Sequence, residues 1–198
     1  MDDGRHVRRD RNRDSVVVAM LDLFNEGNYA PSAEEIAERA GLSSRSLFRY
    51  FDDIDDLARA AIRHHIERVR PALELDVNHD APFADRVAAF VDQRLRLFEA
   101  IGAIGLVARL RAPFQTLIAA ELTVARSFLR NQIARLFTVE LDAMPTDVGT
   151  SMLGTIDVIV SFEGYHLLLD DQQLTTAQIA DAWTESLTRL LAASVPVR

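Results

Sequence analysis

An all-α chain with a helix-turn-helix near its N-terminus is what the sequence predicts, on three observations. Apolar residues recur at three- and four-residue spacing along nearly the whole chain. No stretch shows the strict alternation of a half-buried strand. The segment Ser32–Phe51, SAEEIAERAGLSSRSLFRYF, reads as two short helices around a tight turn, and the other elements are organised about it.

The first helix is expected over about Arg13–Asn25, where Val17, Met20, Leu21 and Phe24 form a buried stripe and Gly27 ends it. Pro31 restricts the residue before it and sets the entry to the next helix. Ser32 is a good N-cap, and Glu34 and Glu35 follow in the first turn, where the helix dipole favours carboxylates. Ile36, Ala37 and Ala40 share a face, and Gly41 supplies the left-handed residue that commonly ends a helix. Ser43 or Ser44 then caps a second helix running to about Phe51. Its Leu47, Phe48 and Phe51 are expected inward, leaving Ser44, Arg45, Ser46, Arg49 and Tyr50 outside. Small polar, Arg and Tyr side chains on a short helix suit the major groove. A fourth helix over about Asp53–Val69 has Ile54, Leu57, Ala58, Ala61, Ile62 and Ile66 on its apolar face, and Pro71 ends it.

Residues 72–81 are the linker candidate, which divides the chain into an arm (1–12), a helix-turn-helix domain with its connecting helix (13–70) and a C-terminal domain (72–198). From Pro82 the stripe Phe83, Val87, Phe90, Val91, Leu95, Phe98 makes a helix that ends before Gly102. A short helix near Ile104–Arg111 stops at Pro113, and a long one follows over about Phe114–Leu141. Val148–Leu169 is apolar on nearly all sides, so it must be covered on all sides. The last helix, about Thr176–Ala193, is amphipathic through Ile179, Trp183, Leu187, Leu190 and Leu191. Pairing these two with their copies about a two-fold axis would complete a four-helix bundle over residues 146–193; a central core helix in a monomer is the other reading.

Charge and composition bound the function. The 198 residues carry a net charge of −8, and all 22 basic residues are arginine. Residues 1–70 hold 12 Arg against 14 Asp and Glu, so the acidity is concentrated in the remainder. Arg5, Arg8, Arg9, Arg11 and Arg13 cluster in the N-terminal arm, read either as a flexible solvated tail or as a contact to minor groove or phosphate. There is no cysteine, hence no disulfide or thiolate metal site, and the apolar runs are too short for a membrane span or a secretory signal. A cytoplasmic location is expected. No phosphate loop, nucleophile elbow or HExxH motif occurs, so no enzyme, catalytic residue or cofactor is indicated. Glu163 and His166 stand i, i+3, but a di-iron site needs a second such pair, and a satisfied polar pair is the preferred reading over metal.

The segment IAERAGLSSRSLFRYF followed by DDIDDL resembles the DNA-binding signature of the TetR family of bacterial transcriptional regulators, over roughly residues 12–66. The resemblance implies that Ser32 touches phosphate, and that Ser43, Ser44, Arg45 and Ser46 stand at the base-reading start of the recognition helix. Phe48 and Tyr50 would pack on sugar-phosphate, with Arg49 beside them, and Arg45 is the residue expected to read a guanine. Many members have a lysine where this chain has Ile54, among Asp52, Asp53, Asp55 and Asp56. The resemblance also implies a homodimer through the last two helices, a palindromic double-stranded DNA operator, and an apolar effector pocket in the C-terminal domain. Phe90, Phe98, Phe114, Phe128, Phe162 and Tyr165 are candidates to line such a pocket, with Arg109, Arg111, Glu163 or His166 orienting the ligand; plain core is the alternative. The function expected is a homodimeric repressor released by a small, largely apolar effector. The alternative is a helical interaction protein whose helix-turn-helix no longer binds DNA.

Overall fold

The computed structural model describes residues 3–192, with side chains from residue 9 onward; every regular element among them is helical. Two compact units emerge, one of residues 1–70 with 101–119, the other of residues 71–100 with 120–198. The chain is thus interleaved between them, where a single division near residue 71 was expected.

In the first unit, α1 spans Asp3–Asn25, α2 Ala33–Arg39, α3 Ser44–Leu47 and α4 Ile54–Val69. The predicted stripe of α1 is buried, with Val16, Ala19 and Leu23 beside it. This helix begins well before Arg13, so from Asp3 onward the expected arm is helix rather than flexible chain. Adding turns to a helix already anchored by packing costs no new nucleation, and the mixed Arg/Asp sequence tolerates it. Of the arm's arginines, Arg5 and Arg8 have side chains outside the described residues; Arg9, Arg11 and Arg13 are exposed. Asp53 caps α4 through Asp56 N at 2.6 Å, and Leu57, Ala58, Ala61 and Ile62 are buried as expected, although Ile66 is exposed.

The helix α5, Phe83–Arg111, contributes to both units and is broken at Gly102, whose φ of 50° and ψ of −145° are open to glycine and strained for other residues. In the first unit the part after the break is fixed to α4 twice. Arg111 Nη1 donates to Asp55 Oδ1 at 2.6 Å, and His65 Nε2 to the Ile101 carbonyl at 3.0 Å.

The second unit holds the rest of α5 with α6 (Thr116–Leu136, which starts in the first unit), α7 (Thr138–Asp142), α8 (Thr146–Ile159), α9 (Phe162–His166) and α10 (Thr176–Ala192). The long helix expected over Phe114–Leu141 is interrupted at Phe137, a buried residue outside helical geometry. The all-round apolar helix expected over Val148–Leu169 is likewise two. Ser161 accepts a hydrogen bond from Gly164 N at 2.9 Å, capping α9, and a π-helical turn over Leu167–Asp171 follows. Even so, its all-round apolarity has a structural counterpart. Val158 is 70% exposed in the single chain, and Val148 and Leu167 are also exposed. In α10, Ile179, Trp183, Leu187 and Leu191 form the buried stripe. No single described helix is long and apolar enough to cross a membrane.

Candidate nucleic-acid interface and effector core

The reading head is assembled from local hydrogen bonds that the sequence encodes. Ser32, in extended geometry, accepts from Glu35 N, while Glu35 Oε2 accepts from Ser32 N at 2.8 Å and from its hydroxyl at 2.7 Å. This reciprocal capping box satisfies two orphan donors at the start of α2. The hydrogen bonds donated by the Ser32 backbone, and then by its hydroxyl, hold the Glu35 carboxyl below its ordinary pKa. Arg39, at the other end of α2, forks onto both Glu26 oxygens at 2.8 Å. Gly41 takes φ 68°, and Leu42 N reaches back to the Ala37 carbonyl at 2.9 Å. Ser43 then caps α3 through Ser46 N at 3.3 Å.

The recognition helix is shorter than expected. It ends after Leu47, and residues 48–50 continue as a turn before Phe51 returns to the core. Leu47 and Phe51 are buried as anticipated, but Phe48 is 49% exposed rather than inward. Phe48 directly follows the last residue of α3 and, like Arg45 and Arg49, is exposed. Tyr50 Oη accepts from Asn12 Nδ2 at 3.2 Å, which ties the turn to α1, and the Arg13 guanidinium lies 5.0 Å from the Phe51 ring centre. Ser32, Ser43, Arg45, Phe48 and Arg49 are therefore exposed, with Ser44, Ser46 and Tyr50 half-buried among them.

The acidic block beside this surface is engaged in structure. Asp53 caps α4, Asp56 accepts from Asp52 N at 3.3 Å and from Arg59 at 3.2 Å, and Asp55 is paired with Arg111. Arg111 is separated from its partner by 56 positions, and no short-range pattern announces the pairing.

Residues 17–61 match the family model described as bacterial regulatory proteins, tetR family. The matched segment holds α2, α3 and the start of α4, so the similarity to that family lies in the N-terminal unit. A curated relative, the HTH-type transcriptional activator FasR of Mycolicibacterium smegmatis, is 30% identical over 94 residues, which span 45% of this chain and 43% of that protein. Among solved structures, a tetR-family transcriptional regulator from Streptomyces coelicolor superposes with a TM-score of 0.71 at 19% identity, covering 93% of this chain and 82% of that one. A transcriptional regulator from Rhodococcus sp. Rha1 gives 0.69 at 16% identity, covering 94% and 99%. At these identities the two structures establish a shared all-helical fold.

The candidate ligand-contacting residues are divided between the two units. Arg109 and Phe114 belong to the first unit, where Arg109 donates to the Gly105 carbonyl at 3.1 Å and Phe114 is 87% exposed. Phe128, on α6 in the second unit, is 47% exposed. These two phenylalanines stand on the outer face of their segments and line no core in the described chain. Phe98 and Phe162 are buried in the second unit with ring centres 5.6 Å apart, and Tyr165 and Trp183 stand 5.8 and 6.2 Å from Phe98. His166 packs on Phe162 at 4.4 Å and donates from Nδ1 to Asp170 at 2.8 Å, while Glu163 accepts from Arg126 at 2.6 Å. Glu163 and His166 are thus each bound to other partners.

Two buried arginines of this unit escaped the sequence reading. Arg86 is forked onto Glu140, at 2.5 and 3.1 Å, with the Leu136 and Ala81 carbonyls as further acceptors. Arg94 has no such partner. Their spacing on α5 fits a stripe that passes for aliphatic core, and the only available signal was the placing of charge on that stripe.

Proposed function

We propose that this chain is a homodimeric, ligand-responsive regulator of transcription that reads a palindromic DNA operator and, in the absence of effector, represses. The observation that carries the reading is the capped α3 within the TetR-matched segment, where Arg45, Phe48 and Arg49 are exposed and Tyr50 is tethered to Asn12. Ser43 and Ser46 lie at the same helix start, where base edges are read. The exposed Val148, Val158 and Leu167 support dimerisation through residues 146–193, because a second copy would cover them. Two recognition helices in a dimer suit half-sites about 34–36 Å apart. Effector binding in the second unit would shift the population toward a spacing that fits the operator poorly, and a few kcal/mol of differential affinity suffices. Such a protein acts in the cytoplasm.

The relative from M. smegmatis is named an activator, which favours a second reading of the sign of regulation with the same DNA-reading surface. The interaction-protein alternative rests on Ile54, where a phosphate-reaching lysine is absent. One experiment separates these. The purified protein is incubated with fragments of its source genome at about 0.1 M salt, where screening is moderate, and the retained DNA is sequenced. Recovery of a palindrome, lost when Arg45 and Tyr50 are both changed to alanine, supports the DNA reader. Indiscriminate retention or none removes it, and transcription from the recovered promoter with and without the protein gives the sign.

A further inference from the structure

Arg86 and Arg94 lie two turns apart on α5, both buried in the second unit, and differ in one respect. Arg86 has a carboxylate. Arg94, 1% exposed, is met only by neutral acceptors: Nη1 donates to Gln132 Oε1 at 3.3 Å and Nη2 to the Leu129 carbonyl at 3.2 Å. Its Nε, also buried, has no acceptor among the described residues, and the Phe90 ring lies 4.7 Å beneath the guanidinium. The acid whose field reaches it, Asp157, is engaged by Arg130 at 3.8 Å. Burial without a counter-charge lowers the Arg94 pKa to about 10.

Folding does not call for this arrangement, since an apolar residue of similar size would fill the space without desolvating a charge. A local rule broken without compensation is where function is sought. One turn along the same helix face stands Phe98, the centre of the ring cluster formed with Phe162, Tyr165 and Trp183. That cluster also holds two buried nitrogens without partners, Trp183 Nε1 and His166 Nε2. A guanidinium whose Nε lacks an acceptor beside a neutral carbonyl on Nη2 offers a planar fork matched to a carboxylate, and the rings are matched to an apolar body.

We propose that Arg94 anchors the carboxylate of a small apolar monocarboxylate effector, whose body packs against the Phe98 ring cluster. The carboxylate engages Nε and takes the place of the Leu129 carbonyl on Nη2, while Nη1 keeps Gln132, giving Arg94 the counter-charge that Glu140 gives Arg86. This rests on the ligand-responsive reading above and names the chemistry of its ligand.

The test uses the full chain with decanoate and 4-phenylbutyrate, each beside its primary amide, followed by calorimetry and by the fluorescence of Trp183, the chain's only tryptophan. At least one acid binds saturably, its amide binds at least tenfold more weakly, and Arg94→Met erases that preference while melting at or above the parent's temperature. Equal binding of acid and amide, no binding of either acid at millimolar concentration, or acid binding unchanged in Arg94→Met overturns the proposal. So does an Arg94→Met variant that melts well below the parent, because Arg94 would then serve the fold. The same samples are assayed on operator DNA. An acid that binds through Arg94 and leaves DNA affinity unchanged retains the site and removes the effector reading. A neutral ligand that releases DNA from Arg94→Met retains the effector reading and removes the site.

Discussion

Glu140→Gln is expected to be severely destabilising although it changes almost no volume. Arg86 and Glu140 are 6% and 5% exposed, and the guanidinium is matched at both Nη atoms by the carboxylate. The variant leaves an arginine charge in the interior with only amide and carbonyl acceptors. Removing one member of a buried pair costs about 3–5 kcal/mol, most of it the desolvation left uncompensated. At about 2–4 °C per kcal/mol for a chain of this size, the melting temperature should fall by roughly 6–20 °C. Thermal unfolding followed by circular dichroism reads this directly. The double variant Arg86→Met, Glu140→Leu contains no orphaned charge and should recover more than half of the loss. A loss below about 1 kcal/mol in Glu140→Gln, where about 3–5 is expected, or a double variant as unstable as the single, would refute the reasoning.

Ser32→Ala removes the α2 cap and should cost about 1 kcal/mol, read as a lowered denaturant midpoint. The same box depresses the Glu35 pKa from 4.5, so the stabilisation is present above the unfolded value and is lost as pH falls through the lower folded value. Ser32→Ala keeps the backbone donor, the larger cause, and removes the hydroxyl, so it should reduce that part of the acid limb without abolishing it in a pH series of melts. Gly164→Ala places a Cβ 2.6 Å from the Ile159 carbonyl oxygen and 3.1 Å from that of Val158, both backbone atoms, and should destabilise by about 1–3 kcal/mol. Arg45→Ala should relax discrimination at one base pair per half-site by about 1–3 kcal/mol in a competition assay across operator variants, with its fold and melting temperature unchanged.

What the sequence reveals here is what short-range physics decides. The capping box at Ser32, the left-handed Gly41, the Asp53 cap and the buried stripes of α1 and α10 all arise within a few positions of one another, and each is readable as a pattern. Period alone misleads where a helix stops. Phe48 follows the inward spacing of Leu47 and Phe51 only on a continuous helix, and α3 ends one residue before it. The break before α9 is hidden the same way, because an apolar run surrounds the Ser161 cap and masks it. Partners that meet through the tertiary fold leave no local trace. Asp55 with Arg111 and Arg86 with Glu140 are separated by 56 and 54 positions. The aromatic list shows the corresponding limit for the effector core. Phe98 and Phe162 do pack together, but Phe114 and Phe128, equally apolar, face outward.

The long-range pairs also bear on the awkward acidity of the reading head. A net charge of −8 argues against DNA binding only if the acids near the groove are free to repel phosphate. Around α4 they are engaged. Asp53 and Asp56 satisfy backbone donors, Asp55 is neutralised by Arg111, and Glu26 is held by Arg39. Arg45 and Arg49, by contrast, stand exposed beside the capped start of α3. The charged side chains over residues 44–50 are thus Arg45 and Arg49, while Asp53, Asp55 and Asp56 serve the helices that carry them. Ile54 lies at the first position of α4, directly after the Asp53 cap, and Arg111, which α5 brings to the same helix start, is taken up by Asp55. On this view the acidic total says little about residues 44–50, whose charged side chains are both arginines.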